Sequence, residues 1–142
     1  MGARAIICLG NRYVAGDAIG CRVFDHLSAA PPQPGVDVID GGLCGLDLLS
    51  LLQGRTRVVF ADAMIGMAPP GSVVVLDGAE VARLATGYGH SAGLPYLLRM
   101  MAEVVPPPWP QIAVVGAEGV ADAATVQAVA ERCAQIASHG QA

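Results

Sequence analysis

The stretch that decides the fold is residues 5–20, AIICLGNRYVAGDAIG. Its first five residues form an apolar run that predicts a buried strand, Ala5–Leu9. A glycine-containing loop follows, and apolar residues spaced about four apart predict a helix from about Asp17 to Leu27. A strand that passes through a loop into a helix is the unit from which parallel α/β sheets are built.

The same alternation continues along the chain and predicts an α/β fold. We expect a three-layer α/β/α sandwich with a mostly parallel, roughly five-stranded twisted sheet, folded as a single domain over residues 1–142. The further predicted strands are Val36–Ile39, Val58–Ala61, Ser72–Leu76 and Ile112–Val115. The further predicted helices span about Gly45–Leu52, Leu94–Val104 and Ala121–Ser138. Of the strands, Ser72–Leu76 is expected to run antiparallel at an edge of the sheet.

The composition excludes several classes of function. The 142 residues are 54% apolar and 14% charged, with a net charge of -4 and no lysine. A nucleic-acid binder needs a basic face, and both a P-loop and a Schiff-base site need a lysine. No secretory signal or membrane span is expected, and four cysteines without a Cys-x-x-Cys pair predict reduced core thiols. We therefore expect a cytoplasmic protein that binds neither nucleic acid nor membrane.

Three aspartates fall at or just beyond predicted strand ends, where parallel sheets place their ligand sites. Asp17 follows the first strand, and it also suits the cap of the next helix. Asp40 precedes Gly41 and Gly42, where turn chemistry is an alternative explanation. Asp62 ends an otherwise apolar run, in which an unpaired charge would be costly.

One histidine lies in a loop that could meet these aspartates. His90 stands in a glycine-rich segment before an apolar helix, whereas His26 is predicted on an exposed helix face and His139 in a frayed tail. A lone histidine is usually structural. Two carboxylates and one histidine from separate loops would, however, form an N/O site for a divalent transition metal with open coordination positions.

The order of these motifs resembles the maturation endopeptidases of nickel-iron hydrogenases, over nearly the whole chain. The matching segments are Gly10–Gly20, Ile39–Gly42 with Gly45 and Leu48-Leu49, Ala61–Ala63 followed by Pro70-Gly71, His90–Leu94, and Ile112–Gly116. The resemblance implies the α/β fold and a protease that removes a short C-terminal peptide from the hydrogenase large-subunit precursor after nickel insertion.

The resemblance also implies the roles of individual residues. Asp17, Asp62 and His90 would bind metal and serve as the catalytic residues, while Asn11, Asp40, Gly41 and Gly42 would bind substrate. The nickel is expected to arrive with the precursor, and other divalent metals would be able to occupy the site in the isolated protein. It would polarise the scissile carbonyl or activate a water molecule. The free protein is expected to be a monomer.

Two positions depart from the family pattern. Gly16 stands where the family commonly has a second acidic residue before Asp17. The segment Gly116-Ala117-Glu118-Gly119 also replaces the glutamine and proline that are usual after the last strand. Both departures lie near the expected site, so they bear on metal geometry and substrate preference.

Two other classes of function are weighed against the protease. The segment Gly89-His90-Ser91-Ala92-Gly93 matches the nucleophile elbow of serine hydrolases, with Asp122 and His139 in the appropriate chain order. The elbow requires a strand that runs into it, and the preceding residues predict a helix or irregular structure. A non-catalytic nucleotide-binding module is the other alternative, although Asp17 would repel a pyrophosphate at the helix start.

Overall fold

The computed structural model describes residues 1–43, 45–64, 69–83, 93–118 and 121–141. The strands in chain order are β1 (Arg4–Leu9), β2 (Val36–Gly42), β3 (Arg57–Ala63), β4 (Val73–Asp77) and β5 (Gln111–Ala117). The helices are α1 (Ile19–Ala29), α2 (Leu49–Leu52), α3 (Gly78–Ala82), α4 (Leu94–Val104) and α5 (Ala123–His139). Short 3-10 turns at Ala15–Asp17 and Leu46–Leu48 lie ahead of α1 and α2.

The strands form one sheet in the order β2-β1-β3-β5-β4. Strands β2, β1, β3 and β5 are parallel, and β4 pairs with β5 in the antiparallel sense at one edge. The predicted fold class and the antiparallel edge strand are thus confirmed. Within the described residues no helix is long and apolar enough to cross a membrane.

Side chains from alternate strand positions build two cores on opposite faces of the sheet. On one face Ile6 and Val59 pack with apolar residues of α1 and α5. On the other face Ile7 and Phe60 pack with residues of α2 and α4. Because both faces are covered, the central strands are apolar almost throughout. These are the three layers that the sequence predicts.

Several predicted boundaries differ from the observed ones at the chain segments that border the sheet. The helix predicted from Asp17 begins only at Ile19, because the chain first makes a 3-10 turn. The helix predicted from Gly45 is a 3-10 turn followed by one α-helical turn. Asp62, predicted as a strand end, lies within β3, because its backbone pairs with β5. His139 occupies the last turn of α5 rather than a frayed tail.

A close backbone contact fixes where α1 begins. A Cβ atom on Gly20 would overlap the carbonyl oxygen of Leu9, so only glycine lets the first turn of α1 lie against the end of β1. The Cys21 thiol donates a hydrogen bond to the Gly10 carbonyl at 3.4 Å, next to this contact. The loop between Gly10 and Ala18 is therefore held at the carboxyl edge of the sheet.

We predict that Gly20→Ala destabilises the protein by about 3 kcal/mol, because the added methyl group must displace α1 or β1. Gly16→Ala is the matched control, since a Cβ at Gly16 would meet nothing within 4 Å. We expect the control to change stability by no more than about 0.5 kcal/mol. Urea unfolding monitored by circular dichroism measures both, and equal stability of the two variants would contradict the packing argument.

Candidate active site

Strand register brings the ends of three parallel strands to one edge of the sheet. Cys8 of β1 is aligned with Asp40 of β2 on one side and with Ala61 of β3 on the other. Asp62, the residue after Ala61, is aligned with Gly116 of β5. The carboxyl edge therefore gathers Asp40, Asp62 and the loop that follows β1, as expected for a ligand site in a parallel sheet.

Asp17 is held by the backbone of its own loop. The Asn11 N–H donates to the carbonyl oxygen of Asp17 and to its Oδ2 atom, both at 3.0 Å. The residue at the N-cap of α1 is Ala18, which makes no side-chain cap. The helix-cap alternative for Asp17 is therefore wrong. Among the described residues the Oδ1 atom of Asp17 has no hydrogen-bond donor, so it is available to a ligand.

Asp62 carries an unusually basic carboxylate. Its Oδ1 accepts a hydrogen bond from the Ala63 N–H at 2.8 Å, which favours ionisation. Burial opposes ionisation more strongly than this hydrogen bond favours it, and the negative charge of Asp17 opposes it as well. The pKa of Asp62 therefore rises from 3.8 to about 7. The site therefore holds a carboxyl group whose charge is costly without a partner.

Asp17 and Asp62 together form the described part of the predicted metal site. The 3-10 turn that carries Asp17 packs against β3, and the two carboxyl groups are close enough for one to raise the pKa of the other. The third predicted ligand, His90, lies outside the described residues. Within the described ranges no three His, Cys, Asp or Glu side chains converge on one point. The arrangement is two carboxylates whose mutual repulsion a cation would relieve.

Asp40, Gly41 and Gly42 lie beside this pair at the end of β2. The turn considered for Asp40 is not observed, because β2 continues through Gly42 with a β-bulge, at which Leu9 pairs with Gly42 rather than Gly41. The Asp40 Oδ1 atom accepts from the Gly42 N–H at 3.1 Å within this bulge. Gly42 has a φ of +58°, and its carbonyl accepts from the Gly10 N–H at 2.9 Å. The bulged end of β2 is thus joined to the end of β1, while its binding of substrate stays a prediction.

Asn11 shapes the loop after β1. Its side-chain Oδ1 accepts from the Tyr13 N–H at 3.0 Å, and its own backbone N–H contacts Asp17. Both contacts explain why an asparagine suits this position, because its side chain closes a local turn. The predicted role of Asn11 in substrate binding is not tested by these contacts.

An apolar rim beside the site is a feature that sequence reasoning missed. Four large apolar side chains in the two neighbouring loops are 47–93% exposed: Tyr13, Val14, Leu43 and Leu46. In the described part of the chain only three other large apolar side chains are exposed, namely Met1, Val104 and Trp109. The sequence did contain a signal for this rim. All four residues stand in glycine-containing segments that follow a strand, where a large apolar side chain has no core in which to pack. Exposed apolar groups concentrated at one place indicate a binding surface.

The serine-hydrolase alternative lacks its catalytic geometry. Asp122 caps the N-terminus of α5, and His139 stands in the last turn of the same 17-residue helix. A helix of that length separates its ends by about 25 Å, so Asp122 and His139 do not converge on one serine. Ser91 lies outside the described residues.

We predict that the buried charge of Asp62 makes the metal-free protein less stable as the pH rises. An unfolded aspartate loses its proton near the ordinary pKa of 3.8, whereas the folded carboxyl group loses it near pH 7. The folded state therefore binds more protons between these values, and its stability falls as the pH increases from 4 to 7. Asp62→Asn removes this pH-dependent loss of stability. Relative to the unmodified protein, it should raise the free energy of unfolding by about 2 kcal/mol above pH 7 and change it little near pH 4.

Thermal unfolding in the presence of a chelator, followed across this pH range, measures the effect. Asp40→Asn is the control, because its side chain keeps an oxygen acceptor for Gly42 and leaves the surroundings of Asp62 unchanged. The pH dependence between pH 4 and 7 should persist in this control. Identical profiles for Asp62→Asn and the unmodified protein would refute the assignment of the slope to Asp62.

Comparisons with known proteins identify the family of the chain. Residues 21–130 match the sequence model of the HycI family, described as hydrogenase maturation protease. The chain is 31% identical over 93 residues to the hydrogenase 2 maturation protease of Escherichia coli K12, covering 63% of this chain and 57% of that protein. It is 29% identical over 100 residues to the hydrogenase 3 maturation protease of the same strain, covering 69% and 64%.

Solved structures share the fold. The hydrogenase maturating endopeptidase HybD from E. coli superposes with a TM-score of 0.74 at 23% identity, over 96% of this chain and 93% of that one. The [NiFe] hydrogenase maturation protease HybD from Thermococcus kodakarensis gives 0.69 at 22% identity, over 94% and 98%. The sequence matches span less than two thirds of the length of the curated relatives. With the family model matching most of its length, the chain belongs to the hydrogenase maturation protease family.

Proposed function

We propose that the protein is an endopeptidase that removes a C-terminal peptide from the precursor of a nickel-iron hydrogenase large subunit. The observation that carries the proposal is the packing of the 3-10 turn that bears Asp17 against β3, which bears the buried Asp62, in a chain of this family. A protein substrate also fits the apolar rim, because exposed apolar side chains concentrated at one place are suited to protein contact.

Nickel is proposed to enter as part of the substrate, already bound to the precursor. Asp17, Asp62 and His90 would then complete its coordination. The donor set is chemically suitable, since imidazole nitrogen and carboxylate oxygen are ligands of divalent transition metals. Each described carboxylate has one oxygen engaged by a backbone N–H and leaves the other without a described donor. The bound nickel would supply Lewis acidity at the scissile carbonyl or at a water molecule.

The chain's own groups would position the precursor around that metal. Asn11 and the bulged end of β2, which contains Asp40, Gly41 and Gly42, are proposed to seat the residues that flank the scissile bond. This requirement for a metal carried by the substrate explains how an enzyme of this kind would distinguish a loaded precursor from an empty one. The empty precursor lacks the group that joins the two carboxylates.

The absence of a second acidic residue at position 16 leaves this site with a single carboxylate in its first motif. Gly16 is exposed, and a Cβ placed there would meet no atom within 4 Å. The fold does not exclude a larger residue at this position. We propose that Asp17 alone supplies the first-motif carboxylate.

The cellular setting is also part of the proposal. Among the described residues Cys8, Cys21 and Cys133 are buried free thiols, which suits a reducing cytoplasm. The free protein is proposed to be a monomer, which light scattering after size-exclusion chromatography would check.

We predict that Asp17→Asn, Asp62→Asn and His90→Ala each lower processing of nickel-loaded precursor at least about a hundredfold, as expected from losing several kcal/mol of transition-state stabilisation. Glu103→Gln is the control, because Glu103 is an exposed carboxylate on α4. The measurement is single-turnover cleavage of purified precursor, with and without nickel, followed by mass spectrometry of the released peptide.

Circular dichroism should show that all four variants are folded. Cleavage of nickel-free precursor at the same rate as loaded precursor would contradict the role of nickel. Full activity of Asp62→Asn combined with loss of activity in Ser91→Ala would instead support the serine-hydrolase alternative.

A further inference from the structure

Strand β2 is an open edge of the sheet. Among the described residues it pairs with β1 alone, and the pairing is parallel. The Arg4 N–H donates to the Gly35 carbonyl at 3.1 Å, which fixes which residues of β2 turn their backbone groups toward β1. Because these groups alternate along a strand, Asp37 and Ile39 face β1 while Val38 and Asp40 face outward.

The outward backbone groups of β2 are available for pairing. Within the described residues, the N–H and C=O groups of Val38 and Asp40 have no hydrogen-bond partner. The strand contains no proline, and its β-bulge lies at Gly41, beyond Val38 and Asp40, so the segment before the bulge keeps a regular edge. The Asp37 carboxylate is engaged with Arg55 at 2.9 Å and with the Gly2 N–H at 2.8 Å, so it is not free to oppose an approaching chain.

A groove runs beside this edge and would receive side chains of an added strand. It has a volume of about 520 Å³ and lies between the C-terminal end of α1 and β2. Its walls include Leu27, Ala30 and Pro32 on the helix side and Val38 on the strand side. Most of these groups are apolar, so the groove suits a peptide of mixed or apolar sequence better than a charged one.

The open edge is continuous with the candidate active site. Strand β2 runs directly into Asp40, Gly41 and Gly42, and the next residue, Leu43, is 71% exposed. A larger cavity, of about 820 Å³, is lined by Arg57 and Gln111 at the opposite ends of β3 and β5. A chain that passes through the site can therefore continue along β2, whereas the larger cavity lies at the far edge of the sheet.

We propose that the C-terminal extension of the precursor binds to the open edge of β2 as an additional antiparallel strand. This inference rests on the proposed function and specifies how the substrate is held. The segment before the scissile bond is joined to a folded subunit, while the extension is a free chain end that can lie along an edge. It leaves the site toward the start of β2, so its direction is opposite to that of β2.

Such binding uses main-chain hydrogen bonds, which every sequence without proline can form. Pairing of this kind therefore depends little on the side chains of the extension. The metal site would then select the cleavage point. Two or more residues beyond the scissile bond must reach the edge before pairing begins at Asp40, and a few more are needed to reach Val38.

The test compares two nickel-loaded precursors, one with the full extension and one whose extension is cut to two residues. Val38→Pro removes only an outward N–H, and proline is tolerated at such an edge position. Val38→Ala is the matched control, because it loses the side chain and keeps the N–H. We expect Val38→Pro to raise KM for the full-length precursor about fivefold, as the loss of one hydrogen bond would.

With the unmodified enzyme, the cut precursor should have a higher KM than the full-length precursor. For the cut precursor, the KM of Val38→Pro should equal that of Val38→Ala. Hydrogen exchange at the Val38 amide should slow when a peptide with the sequence of the extension is added to the unmodified enzyme in saturating excess. If Val38→Pro does not fold, the inference is tested by the exchange rate at Val38 and by the KM values of the two precursors with the unmodified enzyme.

Equal KM values for the two precursors on the unmodified enzyme would overturn the inference, as would unchanged exchange at Val38. Failure of the unmodified enzyme to cleave either precursor is a different result. It would contradict the proposed function itself and this inference with it, whereas normal cleavage without dependence on the extension removes the inference alone.

Discussion

The contact between Gly20 and the Leu9 carbonyl is the constraint on which the candidate site depends. It places the start of α1 directly against the end of β1. The nine residues from Gly10 to Ala18 must therefore fold close to the carboxyl edge of the sheet. A helix that began earlier would carry Asp17 away from the strand ends. Instead, the chain makes a 3-10 turn, and the Asn11 N–H anchors both the carbonyl and the carboxylate of Asp17.

The second consequence of this packing is electrostatic. Asp17 is brought near Asp62, whose carboxyl group is already removed from water by the strand that carries it. Two acidic groups placed in this way lower stability at neutral pH, because neither has a cationic partner among the described residues. Natural proteins retain such arrangements where function requires them, which is consistent with the cation proposed to bind between these carboxylates.

The sequence was sufficient to predict the order of the elements and the layers of the fold. Apolar runs such as Val58–Ala61 and the regular spacing in Leu94–Val104 carry strong periodic signals, and the helix boundaries there agree with the structure. The start of α1 was misplaced, because a 3-10 turn has no periodic pattern distinct from a helix. The exposure of Tyr13 and Leu43 could not be predicted, because local sequence does not show which apolar side chains of a loop pack into a core.

The open edge of β2 has a consequence for the protein when no substrate is present. An unpaired strand that accepts one extended chain accepts another, including the same strand of a second copy of the protein. Association of this kind would increase with protein concentration and would be suppressed by any guest that covers Val38 and Asp40. The surface proposed for recognition is thus also a surface through which the protein without substrate is exposed to self-association.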